Sequence, residues 1–404
     1  RKRSKSKSKS KKQTQDKSEA LLSPRTRRQR DELGQLDSVS LASKVAEGTA
    51  SADDARLHAD VLQFVQGNYE EARGIYRSIV EQSSTGQATV FSQLRLGELA
   101  RRVDGDDDAA ATHFTAALDL VDKDSGDSSQ YAEVFNEAGW FFETAQGDIP
   151  RAQSLYRRAV DADPANGTAL GNYARTLRLQ GNTDEAESYY RRAVEAEPDN
   201  PLLLSNFGWF VESVLKDVPA AKALYVQATG VGWSLPAAHF NLGRLLHFSE
   251  KDVEGATKEY EKVVSLDPAH VNANLGLASI YVARGDLDEA QQCFETAVEA
   301  DPLNATALYN YAVFLDKQRD DLSSALDYFF RTTIVNPLNE TFSKAYLRCK
   351  EKAAERGIKV DGEEEQQQEQ QQEQEQKQAE QEETAKKQSK GSRVRAKSRS
   401  KSKA

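Results

Sequence analysis

The 404-residue chain contains no methionine, only two cysteines and five histidines. Each scarcity excludes something. No run of about 18 apolar residues occurs, so no membrane-spanning helix is expected. The basic N-terminus is followed by no apolar core, so it does not read as a signal peptide. Cys293 and Cys349 stand at no metal-ligand spacing, and so few thiols suit a reducing, intracellular setting, cytoplasmic or nuclear. The histidines His58, His113, His239, His247 and His270 are scattered, and none has an acidic partner at metal spacing. There is no glycine-rich phosphate loop and no nucleophile elbow. The expectation is a non-enzymatic chain with no cofactor and no metal. The missing methionine, initiator included, points to a processed or incomplete product.

What the chain does have is a period. A degenerate motif recurs every 34 or 35 residues from about Asp53 to Glu340, most clearly between Gly167 and Asn200. Small residues mark a first helical stretch at Gly97, Gly139, Ala174, Gly208, Gly243, Ala278 and Ala312. A second stretch carries Ala and, four residues later, an aromatic: Ala72 and Tyr76, Ala110 and Phe114, Ala152 and Tyr156, Ala186 and Tyr190. The same pair recurs at Ala221 and Tyr225, Ala256 and Tyr260, Ala290 and Phe294, and Ala325 and Phe329. Residues four apart share one helical face, so each copy presents a small-plus-aromatic seam for its neighbour. Turns such as Gln180-Gly181-Asn182 separate the stretches, and Pro164, Pro198, Pro268, Pro302 and Pro337 bound them.

This pattern resembles the tetratricopeptide repeat. The resemblance implies an all-α, right-handed solenoid of about eight helix-turn-helix copies, at 53–86, 90–124, 132–166, 167–200, 201–235, 236–270, 271–304 and 305–339. Most copies hold one residue more between the helices than the usual unit, so the first helix or its turn should be longer. Residues 31–52 read as a linker or N-terminal helix. Residues 341–358, with Phe342, Tyr346 and Cys349 on one face, read as a terminal cap. Trp233 reads as a packing plug before the sixth copy.

Charge is sharply divided. Residues 1–30 hold 13 Lys and Arg against Asp16 and Glu19, and residues 386–404 hold nine Lys and Arg with no acid. The whole chain carries −10, so the middle is strongly acidic. These Ser/Lys-rich arms bury too little to fold and should be disordered. They are candidate contacts for nucleic acid, nuclear addresses, or partners for the acidic middle. Residues 359–385 form a Glu/Gln-rich spacer without an apolar stripe.

Two positions on the first helices vary in a way that suggests binding. Asparagine stands two residues before the small residue at Asn172, Asn206, Asn241 and Asn310. In superhelical members of the family, such as the O-linked N-acetylglucosamine transferase, asparagines at this place hold a peptide backbone. A carboxamide can pair with both halves of an amide. The same amides could instead brace neighbouring helices. Asn136 falls one place early and Asn274 two. One place after the small residue come Trp140, Arg175, Trp209 and Arg244, aromatic anchors alternating with cationic forks.

The clamp with which some family members grip acidic chaperone tails is absent, because Leu202 and Ala237 stand where its cations belong. The sequence therefore implies a protein-interaction scaffold that holds an extended partner segment, with no membrane association. The competing expectation is an RNA-associated or nuclear assembly factor using the basic arms. Strings such as Glu71-Ala72-Arg73-Gly74-Ile75-Tyr76 are similar to the half-a-tetratricopeptide repeats of RNA-processing proteins.

Overall fold

The computed structural model describes residues 31–124, 127–231 and 235–358. Trp233, both basic arms and the Glu/Gln-rich spacer lie outside the described residues. The chain falls into two compact units that divide after Pro268. Among the described residues there are helices and turns and no strand.

The first unit opens with α1 (Ser38–Ala46) and continues as antiparallel helix pairs. These are α2 and α3 (Ala52–Asp60, Tyr69–Gln82), α4 and α5 (Gln87–Leu99, Asp107–Lys123), and α6 and α7 (Ala132–Thr144, Ile149–Ala162). They are followed by α8 and α9 (Gly167–Leu179, Thr183–Ala196), α10 and α11 (Pro201–Phe210, Val218–Gly230), and α12 and α13 (Pro236–Leu245, Val253–Leu266). Ser128–Tyr131, just after the Asp124 loop, forms a 3-10 turn. The second unit contains α14 and α15 (Val271–Arg284, Leu287–Ala300), α16 and α17 (Ala305–Phe314, Leu322–Val335) and a closing α18 (Glu340–Glu355).

Side-chain caps start the second helices. Asn68, Asp106, Asp148, Asp217 and Asp252 each accept a hydrogen bond from the backbone N–H three residues on. Such a cap satisfies one of the donors that a helix start leaves free.

The extra residue in most copies has a definite form. Where the small residue and the following Ala are thirteen apart, the backbone N–H that closes the turn reaches six residues back. Asn68 bonds Leu62 at 2.8 Å, Asp106 bonds Ala100 at 2.9 Å, and Asp217 bonds Val211 at 3.2 Å. In the two copies with a spacing of twelve it reaches five back, Asn182 to Leu177 and Asp286 to Tyr281. In five copies the insertion winds a π turn, at Val61–Gln66, Ala100–Asp104, Val211–Leu215, Leu246–Glu250 and Leu315–Arg319. The residue after it is left-handed. Glycine takes that place at Gly67 and Gly105, but Lys216, Lys251 and Asp320 adopt φ of 61°, 60° and 54° with a side chain attached.

Packing follows the small-plus-aromatic seam. A β-carbon at Gly208 would lie 2.8 Å from the Tyr225 ring, and one at Gly139 would lie 2.9 Å from Tyr156. Where the small residue is glycine, at Gly97, Gly139, Gly208 and Gly243, the aromatic of the second helix thus rests on the bare backbone of its own first helix. It also meets the next copy: Phe114 stacks on Phe141 at 4.8 Å, and Tyr190 lies 5.1 Å from Phe210. In the second unit Phe294 lies 5.1 Å from Phe314. There α18 buries Ala345, Cys349 and Ala353, and Phe342 lies 5.2 Å from Tyr309. Lys352 of α18 bonds Asp316 at 2.6 Å. This helix closes the stack of the second unit as a cap.

In the first unit the first helices α2, α4, α6, α8, α10 and α12 also pack consecutively on one another. Their free sides form one continuous face, and the candidate binding residues other than Asn310 lie on it.

Candidate functional site

Two positions on this face decide what it offers: the place one residue after the small residue, and the place four after it. In the third to sixth copies each side chain of the first kind meets one of the second kind in the preceding copy. Arg175 donates to Glu143 from both terminal nitrogens, through Nη1 and at 2.6 Å through Nη2. Arg244 donates to Glu212 through Nη2 at 2.5 Å. Tyr156 and Tyr225 donate their hydroxyls to the same carboxylates, at 2.8 and 3.0 Å. Burial, and then the adjacent carboxylate, push both phenols above their ordinary range.

Between these braces the chemistry switches. The Arg101 guanidinium lies 4.1 Å from the Trp140 ring centre, and Arg178 lies 4.7 Å from that of Trp209. Both are cation–π distances. The alternation of Trp and Arg along the sequence is therefore half of an inter-copy pairing. Tryptophan sits where the preceding copy supplies arginine, and arginine sits where it supplies glutamate.

The structure divides the eight sequence-derived site residues. Arg175 and Arg244 are committed to Glu143 and Glu212, so they are braces between copies and no longer free cationic forks. Asn172 donates to Asn136 at 3.0 Å, which gives the early-placed Asn136 its role. Asn241 likewise donates to Ser205 at 3.0 Å. These two amides tie consecutive first helices together because each finds a polar partner 36 residues earlier. Leu170 stands 36 residues before Asn206 and offers no such group. Asn206 is exposed and makes no hydrogen bond among the described residues. Asn310 is half-buried on α16, in the second unit, and likewise makes none there. Trp140 is partly covered by Arg101 and Arg102.

Trp209 is 39% exposed and Leu202 41% exposed. Leu202, Asn206 and Trp209 follow at i, i+4 and i+7 on α10, so they form one open stripe. Within the first unit the site residues thus separate into inter-copy braces and one exposed patch on the fifth copy.

Sequence reading missed a charged cluster at the start of the same face. Arg95, 2% exposed, stands in the asparagine position of the second copy. It bonds Glu98 at 3.0 Å and Glu133 at 2.6 Å, and lies 3.7 Å from Asp60. Asp60 also accepts from Tyr76 at 2.6 Å and Arg56 at 2.6 Å. Glu137 in the third copy meets Arg102 at 3.3 Å. Burial, together with Glu98 and Glu133 nearby, raises the Glu137 carboxyl to about 7 against the pull of Arg102. The signal was available: Asp60 and Glu98 hold the same register as Trp140 and Arg175.

No group of His, Cys, Asp and Glu among the described residues could hold a metal ion. Burial raises the Cys293 thiol to about 11, which keeps it protonated and unreactive. No helix among the described residues is long and apolar enough to cross a membrane.

Stacked antiparallel helix pairs with a 34–35-residue period define a helical repeat protein. Tetratricopeptide-repeat family models match residues 144–201 and 247–310. The chain thus carries tetratricopeptide repeats. No curated protein matches it. Among solved structures it is similar to the Cut9–Hcn1 hetero-tetramer of APC/C, at 17% identity and a TM-score of 0.54, over 80% of this chain and 58% of that one. It is also similar to yeast Tom70, at 14% identity and a TM-score of 0.51, over 78% of this chain and 66% of that one. Identities this low carry the fold alone.

Proposed function

We propose that the chain is a non-enzymatic scaffold that holds an extended segment of a partner protein on its first-helix face. The observation that carries this reading is the stripe of Leu202, Asn206 and Trp209, which faces solvent on a first-unit face where Asn172, Arg175, Asn241 and Arg244 are spent on braces. An exposed aromatic anchor beside a free carboxamide combines apolar contact with backbone recognition. The repeat architecture supports it, because a stack presents a long surface and no closed pocket.

Cross-linking tests the reading. A photoreactive residue replacing Trp209 should capture a partner protein from cell extract far more efficiently than one replacing Val226, which is more exposed, at 49%, on the second helix α11. Equal capture at both positions would refute it.

A further inference from the structure

One arginine of the first-helix face lacks the carboxylate that its counterparts have. Arg178 occupies in the fourth copy the place that Glu143 and Glu212 occupy in the third and fifth. It makes no ion pair among the described residues, and its Nε–H is buried without an acceptor. Its flat face lies 4.7 Å from the Trp209 ring centre, and the Tyr190 hydroxyl is a neutral polar neighbour, so no carboxylate meets it. On either side Arg175 and Arg244 are neutralised by Glu143 and Glu212. Arg178 is thus the uncompensated charge in this stretch of an otherwise acidic protein. The open stripe of Leu202, Asn206 and Trp209 begins beside it, and Ser213, one turn beyond Trp209, keeps a buried hydroxyl with no partner.

We propose that this patch docks a partner segment in which an Asp or Glu side chain adjoins an aliphatic one. The proposal deepens the scaffold reading and rests on it. The partner carboxylate accepts from Arg178 and takes the acceptor role that Glu143 and Glu212 fill internally at the neighbouring seams. The aliphatic side chain covers Leu202 and the exposed edge of Trp209. Asn206 pairs with the intervening peptide group. Charge complementarity selects the occupant: the arginine is partly buried and has no carboxylate of its own, so a partner carboxylate gains a charge-assisted bond. Between the two basic arms the chain is strongly acidic, which disfavours such a segment elsewhere on the repeats.

The test uses the full chain and three short peptides, acetylated and amidated, in which Leu alternates with Glu, Gln or Lys. Isothermal calorimetry should show the Leu/Glu peptide binding about tenfold tighter than the Leu/Gln peptide, or roughly 1.4 kcal/mol. Arg178→Gln should remove that preference while leaving the helical circular dichroism unchanged. The Leu/Lys peptide should bind only weakly and lose its binding in salt. Equal affinity for the Glu and Gln peptides in the unaltered chain would overturn the proposal without recourse to any variant. If cross-linking at residue 209 still captured a partner, the scaffold reading would survive that loss. Failure of all three peptides to bind would also overturn the proposal.

Discussion

Arg175 closes on Glu143 of the preceding copy from both of its terminal nitrogens, and Tyr156 completes the arrangement from the second helix. The Glu143 side chain is nearly buried, so its charge depends on these two donors. Removing Arg175 strands it. A double-mutant cycle of Glu143→Gln and Arg175→Gln should therefore return a coupling of about 1–2 kcal/mol. The exposed Arg158–Asp122 pair, at 2.5 Å, should return about 0–1 kcal/mol in the same assay. Coupling at the first pair no larger than at the second would remove its standing as an inter-copy brace.

The glycines under the aromatic rings set the closeness of each helix pair. Gly208→Val places methyl groups where Tyr225 already sits. We expect a loss of about 1–3 kcal/mol by chemical denaturation. Gly74, with open space around its α-carbon, is the matched control, and Gly74→Ala should not destabilise the chain.

Lys216 and Lys251 adopt the left-handed conformation after their π turns, where Gly67 and Gly105 serve in the first two copies. Replacing both lysines by glycine should raise stability by about 1 kcal/mol, because the left-handed penalty falls away. An unchanged or lowered thermal midpoint would show that the π turns do not depend on that residue.

Glu137 makes stability depend on pH in a direction opposite to most carboxylates. Its folded value of about 7 lies above the ordinary 4.5. The folded chain therefore holds a proton that the unfolded chain has already released, and stability falls as pH rises between those values. The groups around it are Glu98, Glu133, Arg95 and Arg102, with buried Asp60 beside Arg95. Glu137→Gln should flatten the decline and leave the variant more stable than the parent at pH 8. Parallel pH profiles would contradict this.

Much of the fold was legible because periodic burial writes itself into composition. Ala186 and Tyr190 face the seam at every register the period assigns, and the extra residue between helices proved to be a π turn or its six-back equivalent. The face was legible only in part. Residue type showed that Asn172 and Asn206 belong to one ladder. It did not show that Asn136 waits 36 residues before one of them and Leu170 before the other. The same holds for Arg175 and Arg178, neighbours in sequence with opposite fates, because a carboxylate faces only the first. Partnership across copies depends on what the preceding helix offers, and a single-position motif does not contain it.

The most direct measurement compares two alanine variants for partner affinity and thermal stability together. Asn206→Ala combined with Trp209→Ala should abolish capture of the cross-linked partner, with each lost hydrogen bond costing about 0.5–1.5 kcal/mol of binding. Its thermal midpoint should fall only modestly, because Asn206 makes no hydrogen bond among the described residues and Trp209 loses chiefly its contact with Arg178. Asn172→Ala should do the reverse, lowering the midpoint through its lost bond to Asn136 while partner affinity holds. Full partner affinity in the Asn206 and Trp209 double variant would contradict the account at its centre.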